Sequence, residues 1–319
     1  MLEVNNLKTQ FRVQDQWVTA VDGLSLRVPH RKTIGLVGES GSGKSVTALS
    51  IMRLLSENAQ SSGEILWKED NLLSLSETEM RRKRGKEIGY IFQNPLAALN
   101  PVFSVGNQLL ETIQHHHRVS QKEAKKMAID MLKKVQLPDP EARLNQYPHQ
   151  FSLGMCQRVM IALTLLMQPT LLIADEPSAS LDVTVQAQIM ALLGDLKEEL
   201  DMSMLFISHD LGLVSENCDY IYVMYLGRIV EEGTPEQLFK DPKHPYTKAL
   251  IEAIPRPNPD DHVQRELLSG DIPSPLDIPK GCRFHTRCPK VMDSCKSIDP
   301  QLKKESDRQV ACLLYSDQS

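Results

Sequence analysis

The stretch Gly38-Glu39-Ser40-Gly41-Ser42-Gly43-Lys44-Ser45 constrains this chain more than any other part of it. It fits the pattern G-x-x-x-x-G-K-[ST], and the apolar run Thr33-Ile34-Gly35-Leu36-Val37 leads straight into it. That run predicts a buried strand, and Ser45 to Met52 predicts a helix. Glycines between the two let the backbone curl until several N–H groups point at phosphate oxygens. The helix N-terminus adds partial positive charge. Lys44 reaches toward the β- and γ-phosphates, and the Ser45 hydroxyl suits Mg²⁺. The expectation is a nucleoside triphosphate site lined by Gly38, Ser40, Gly41, Ser42, Gly43, Lys44, Ser45 and Val46.

Composition narrows what such a site serves. A chain of 319 residues with 41% hydrophobic and 24% charged content buries a real core, as one large domain or two ordinary ones. Its net charge of −5, from 36 basic and 41 acidic residues, implies no general affinity for nucleic acid or anionic membrane. No apolar run approaches the roughly 18–20 residues that span a bilayer. The start, Met1-Leu2-Glu3-Val4-Asn5-Asn6, lacks the basic-then-apolar order of a signal peptide. A cytosolic protein is expected, with any membrane role exercised through a partner.

Leu2–Leu7 and Val18–Val28 alternate apolar and polar like half-exposed strands. Further strands are predicted at Gly63–Trp67, Ile88–Phe92, Leu171–Ala174 and Met204–Ile207. Between about Val102 and Gln150 the pattern turns helical, with Leu109, Leu110, Ile113 and then Ala124, Ala128, Met131, Leu132 at helix spacing. Strands alternating with helices indicate a parallel sheet with a helical insertion. Pro255, Pro257, Pro259, Pro273, Pro275 and Pro279 predict an extended linker over 255–279. The basic run Arg81–Arg84 and the triplet His115-His116-His117 read as solvated surface, since adjacent helical residues diverge and chelate poorly together.

The apolar strand at Leu171–Ala174 ends in Asp175-Glu176. The first carboxylate then stands where it can hold Mg²⁺, and the second beside an attacking water as base or positioner. Together with Gln93, a segment at Phe151-Ser152-Leu153-Gly154-Met155, Ser180-Leu181-Asp182 and His209, this order resembles the ATP-binding cassette ATPases over roughly Leu2–Thr234. The resemblance implies an α/β ABC-type P-loop NTPase fold, with an antiparallel β subdomain and an α-helical subdomain inserted at about 94–160. A nucleotide-binding domain over 1–254 and a small Cys-rich C-terminal module over 280–319 follow. It also implies head-to-tail cassettes, each ATP clamped between one phosphate loop and the other's signature segment. Catalysis would fall to Glu176 and His209, and Mg²⁺ to Ser45, Gln93 and Asp175. Phe11 would stack on adenine, with Trp17 as the second choice. Ser152, Gly154, Met155, Gln157 and Asp182 would serve the partner's nucleotide. Leu153 stands where the family usually has glycine, which adds bulk, restricts φ and suggests two unequal ATP sites.

Ile91-Phe92-Gln93-Asn94-Pro95, Leu181-Asp182-Val183-Thr184-Val185-Gln186, His244-Pro245-Tyr246-Thr247 and Gly281-Cys282-Arg283-Phe284 look like the oligopeptide/dipeptide importer class. That class also serves nickel and metallophore import. Its implied partners are a second, different cassette chain, two transmembrane permeases and an extracytoplasmic substrate-binding protein, at the cytoplasmic face of the membrane and without nucleic acid. A soluble cassette ATPase of repair or translation is the rival. Repair enzymes of that type carry long coiled coils between their half-sites, and translation factors carry two cassettes per chain.

Cys282, Cys288, Cys295 and Cys312 gather four of the six cysteines in the tail. A cytosolic setting disfavours disulfides, so metal coordination is expected, either tetrahedral Zn²⁺ or a [4Fe–4S] cluster. The gaps are wider than the C-x₂-C knuckles of zinc ribbons, and the resemblance implies the cluster. A tail of about thirty-five residues buries too little apolar surface to stand without such support.

Overall fold

Residues 1–254 and 270–315 are described by the computed structural model. Pro255, Pro257 and Pro259 of the expected linker lie outside the described residues. The alternating opening forms two long strands, β1 (Leu2–Val13) and β2 (Gln16–Val28), longer than the alternation alone predicted. The buried run is β3 (Thr33–Val37), followed by α1 (Lys44–Met52). Then come β4 (Ala59–Trp67), β5 (Asp70–Asn71), α2 (Glu77–Lys83) and β6 (Ile88–Ile91). The helical stretch holds α3 (Pro95–Ala98), α4 (Val105–His116), α5 (Gln121–Lys134), α6 (Pro140–Arg143) and α7 (Leu153–Leu165). After it run β7 (Leu171–Asp175), α8 (Val183–Glu199), β8 (Ser203–Ser208) and α9 (Leu211–Asn217). The remainder is β9 (Tyr220–Tyr225), β10 (Arg228–Gly233), α10 (Pro235–Lys240), α11 (Pro245–Glu252), β11 (Lys303–Glu305) and β12 (Arg308–Val310).

Contacts divide the chain into two units, Met1–Leu75 with Phe206–Ser319, and Ser76–Leu205. In the first unit β2, β1, β4 and β5 form an antiparallel sheet in that order. β1 pairs from Leu2↔Val28 to Val13↔Gln16, and buried Leu2, Val4 and Leu7 give it an inner face. β3 lies parallel to β9, and β9 continues antiparallel into β10. The tail completes this layer. β12 pairs antiparallel with β10 at Glu231↔Val310, and the Ala311 N–H donates to the Val230 carbonyl at 2.8 Å. Arg308, 6% exposed, fastens the junction by donating to the carbonyls of Gln237 and Asp241.

The second unit holds the parallel pair β6 and β7, in register from Ile88↔Leu171 to Ile91↔Ala174. Its helices start at side-chain caps: Ser104 accepts from the Asn107 N–H, and Ser120 and Glu123 form a reciprocal capping box. Leu109, Ile113, Ala124, Ala128 and Leu132 are buried where α4, α5 and α7 pack together. Each such large aliphatic side chain contributes about 1.5–3 kcal/mol by leaving water. Arg81, Arg82 and the three histidines 115–117 are exposed, as the sequence reading has them.

Candidate nucleotide site

The phosphate loop belongs to the first unit and is shaped by two close approaches. A Cβ on Gly38 would fall 2.1 Å from the Met224 carbonyl oxygen, so no side chain fits there. Gly43 caps α1 at φ 105°, a left-handed conformation that favours glycine. The Gly227 N–H donates to the Ser42 carbonyl at 2.8 Å and ties the loop to the β9–β10 turn. Lys44, only 4% exposed, donates from Nζ to the carbonyls of Gly38 (2.7 Å) and Glu39 (3.0 Å). Two carbonyl dipoles thus hold a buried ammonium at the mouth of a nine-residue helix. Ser42 Oγ is buried without a hydrogen-bond partner among the described residues. Ser45 and Val46 are half-buried on α1, while Ser40 and Gly41 are exposed. The loop sets a buried cation at a helix N-terminus, a charge pattern for phosphate.

The carboxylates belong to the second unit. Asp175, 4% exposed, ends β7 and accepts from the Tyr90 hydroxyl at 2.9 Å. Burial, and then the neighbouring Asp175 charge, push the Tyr90 phenol well above its ordinary range, so it stays a donor. Glu176 follows at φ 46°, in the left-handed region that costs a side-chain-bearing residue about 1–2 kcal/mol. The Gln93 Nε2 donates to Glu176 Oε2 at 2.8 Å. The structure therefore joins Gln93 to Glu176 directly. Tyr90 was missed by sequence reading; its place two residues into β6 gave no signal beyond a buried aromatic.

The signature-like segment is a helix start. Ser152 caps α7 and accepts from the Met155 N–H at 3.3 Å. Leu153 is the first helical residue and is not among the positive-φ residues, so the φ restriction expected from replacing glycine carries no cost; only its bulk remains. Gly154 lies close to α8, where a Cβ would meet Val185 Cγ1 at 2.9 Å. Met155 is half-buried. Gln157, grouped with them in the sequence reading, is packed inside at 2% exposure. Asp182 caps α8 by accepting from the Val185 N–H at 3.0 Å and is exposed. His209 follows β8 and is exposed. Phe11 is half-buried on β1 opposite Val18, and Trp17 is 48% exposed.

In the tail all four cysteines are free thiols. Among the described residues, no group of three or more His, Cys, Asp or Glu is placed to hold a metal ion. The four sulfurs nevertheless lie within electrostatic reach of one another. Burial first, and then Cys282, Cys288 and Cys295, push the Cys312 thiol up to about 11. Burial, with Cys295 and Cys288, likewise lifts Cys282 to about 11, and burial with Cys295 raises Cys288. The Cys282 N–H donates to the Cys295 carbonyl at 2.8 Å, closing the loop between them.

These two halves have counterparts in known proteins. A family model described as ABC transporter matches residues 21–179, and one described as oligopeptide/dipeptide transporter, C-terminal region, matches 230–295. The chain is 44% identical to the oligopeptide transport ATP-binding protein AppD of Bacillus subtilis, covering 100% of this chain and 98% of that protein. Identity to OppD of Salmonella typhimurium, an oligopeptide transport ATP-binding protein, is also 44%, over 98% of this chain and 93% of OppD. Among solved structures, the ATP-binding cassette MJ0796 bound to ADP and Pi superposes with a TM-score of 0.66 at 26% identity. That match covers 74% of this chain and 99% of the cassette. The fold is that of an ATP-binding cassette. The chain belongs to the ABC transporter ATPase family, in its oligopeptide/dipeptide class.

Proposed function

We propose that this chain is the ATP-hydrolysing subunit that powers import of peptides through membrane permeases. The observation that carries the reading is full-length similarity to peptide-transport ATP-binding proteins, tail included. No helix among the described residues is long and apolar enough to cross a membrane. In this reading permease partners form the translocation path and hold the chain at the cytoplasmic face of the membrane. A substrate-binding protein outside the membrane and a second, different cassette chain complete the assembly. Lys44 and the loop amides bind the phosphates, while Ser45, Asp175 and Gln93 attend to Mg²⁺. Glu176, oriented by Gln93, positions or deprotonates the attacking water, and His209 bonds the γ-phosphate. Phe11 stacks on adenine. Ser152, Gly154, Met155 and Asp182 face the partner cassette's nucleotide, with Leu153 making the two sites unequal.

The tail cysteines are read as ligands of a [4Fe–4S] cluster with a structural role. Four thiolates around one Zn²⁺, at about 2.3 Å from the metal, need sulfurs packed closely together. A cluster takes one thiolate per iron corner and so accepts sulfurs set wider apart than a single Zn²⁺ does. Its positive irons would reverse the mutual repulsion of the thiolates.

Peptide uptake by cells lacking and regaining the gene tests the function. Restored uptake of di- or oligopeptides, lost again in the Lys44→Ala protein, supports it. Restored uptake of nickel alone would replace peptide with metal as cargo, and co-purification with ribosomes would end the transport reading. Anaerobic protein with about four irons per chain supports the cluster; one zinc per chain overturns it.

A further inference from the structure

The second residue of the phosphate loop is gripped by the C-terminal module. Arg287, whose side chain is 6% exposed, donates to both oxygens of Glu39, from Nη1 to Oε2 at 2.7 Å and from Nη2 to Oε1 at 3.1 Å. The Glu39 N–H donates to the Tyr246 hydroxyl at 2.8 Å. Glu39 is therefore held at its side chain and its backbone at once. Its carbonyl is one of the two that hold Lys44 Nζ.

What stands behind the fork is an aromatic cluster. The Arg287 guanidinium lies 6.0 Å over the Tyr225 ring, and Tyr225, Tyr246 and Phe284 pack with ring centroids 4.7–5.4 Å apart. Arg283 donates to the Leu226 carbonyl and pairs with Asp22, fixing the turn whose Gly227 N–H supports Ser42. Both arginines sit in the segment bounded by Cys282 and Cys288, and Arg287 immediately precedes Cys288. A bidentate pair with a planar guanidinium fixes orientation as well as distance.

From this geometry we propose that Arg287 is a positioning residue for the nucleotide site: through Glu39 it sets the loop carbonyl that aims Lys44, so the fold of the cysteine module is felt at the phosphate loop. The proposal rests on reading the loop as the ATP site. ATP would bind to a loop held by α1, the β9–β10 turn and α11, with the tail adding a grip through Arg287. Removing the tail's grip loosens the loop without touching any group that meets the nucleotide.

The test is equilibrium binding of Mg·ATP to the full chain, with steady-state hydrolysis in the assembled transporter. Arg287→Ala is expected to weaken ATP binding and raise KM about tenfold while kcat stays within about threefold, since loop geometry sets binding rather than water activation. Arg287→Lys recovers part of the loss, because it keeps the charge but not the fork. Glu39→Gln weakens binding in the same direction, and Arg287→Ala with Glu39→Gln is no worse than the weaker-binding single variant. A folded Arg287→Ala protein that binds ATP within twofold of wild type overturns the proposal, as do effects that simply add. Should Arg287→Ala fail to fold, Glu39→Gln decides, since it leaves the tail intact: unchanged affinity there refutes the coupling. Wild-type ATP binding by Lys44→Ala would instead overturn the nucleotide-site reading itself.

Discussion

Two strand ends carry the candidate chemistry, and they are built on opposite plans. β3 and β7 are both five residues long and buried at every position. After β3 the chain turns through glycines, and the useful groups are backbone amides and one lysine steadied by main-chain carbonyls. After β7 there is no glycine at the turn. Glu176 takes the left-handed conformation itself, and its side chain and that of Asp175 are held by Gln93 and Tyr90, more than eighty positions earlier in the chain. The working groups of the first site thus come from one short segment, whereas those of the second are side chains held by distant partners. The first site is sensitive to backbone conformation as well as to Lys44. The second depends on the side chains of Gln93 and Tyr90, and substitutions separate the two.

The largest contrast is between charge removal at the two turns. Glu176→Gln keeps shape and backbone, so ATP binding is expected to persist while turnover falls by about 10²–10³-fold in the assembled transporter. Lys44→Ala should instead lose nucleotide affinity, read by the same binding titration. If Glu176→Gln hydrolyses ATP at a near-normal rate, the carboxylate turn is not where water is activated.

A conformational change should hurt only the first turn. Gly38→Ala puts a methyl against the Met224 carbonyl oxygen and is expected to cost about 1–3 kcal/mol, seen as a lowered unfolding midpoint together with weakened ATP binding. An alanine variant as stable as wild type would show that the loop is looser than the contact distances require.

The smallest effect lies behind the second turn. Tyr90→Phe deletes one hydrogen bond to a buried carboxylate and should cost about 1–2 kcal/mol in denaturant unfolding, with a modest fall in kcat at limiting Mg²⁺. A stability unchanged by Tyr90→Phe would show that Asp175 does not depend on its distant partner and remove the contrast.

Much of this molecule was written locally. The phosphate loop, its strand and its helix follow from glycine spacing and apolar runs, because the forces involved act over a few residues. The helical stretch was legible for the same reason; its caps at Ser104 and Ser120, which meet partners three residues on, were seen only in the structure. Residue types at Asp175 and Glu176 are the basis for proposing a metal-and-water turn, but they did not reveal what holds it. Only the tertiary structure decided that Gln93 bonds Glu176, that Tyr90 bonds Asp175 and that Gln157 is buried. It alone turned the tail from a separate cysteine-rich appendage into strands on β10, with Arg287 on the phosphate loop. Those pairings join residues up to 248 positions apart, and no short-range pattern encodes them. They arise when folding buries a charged or polar group and that group must find its partner in whatever segment the fold brings alongside.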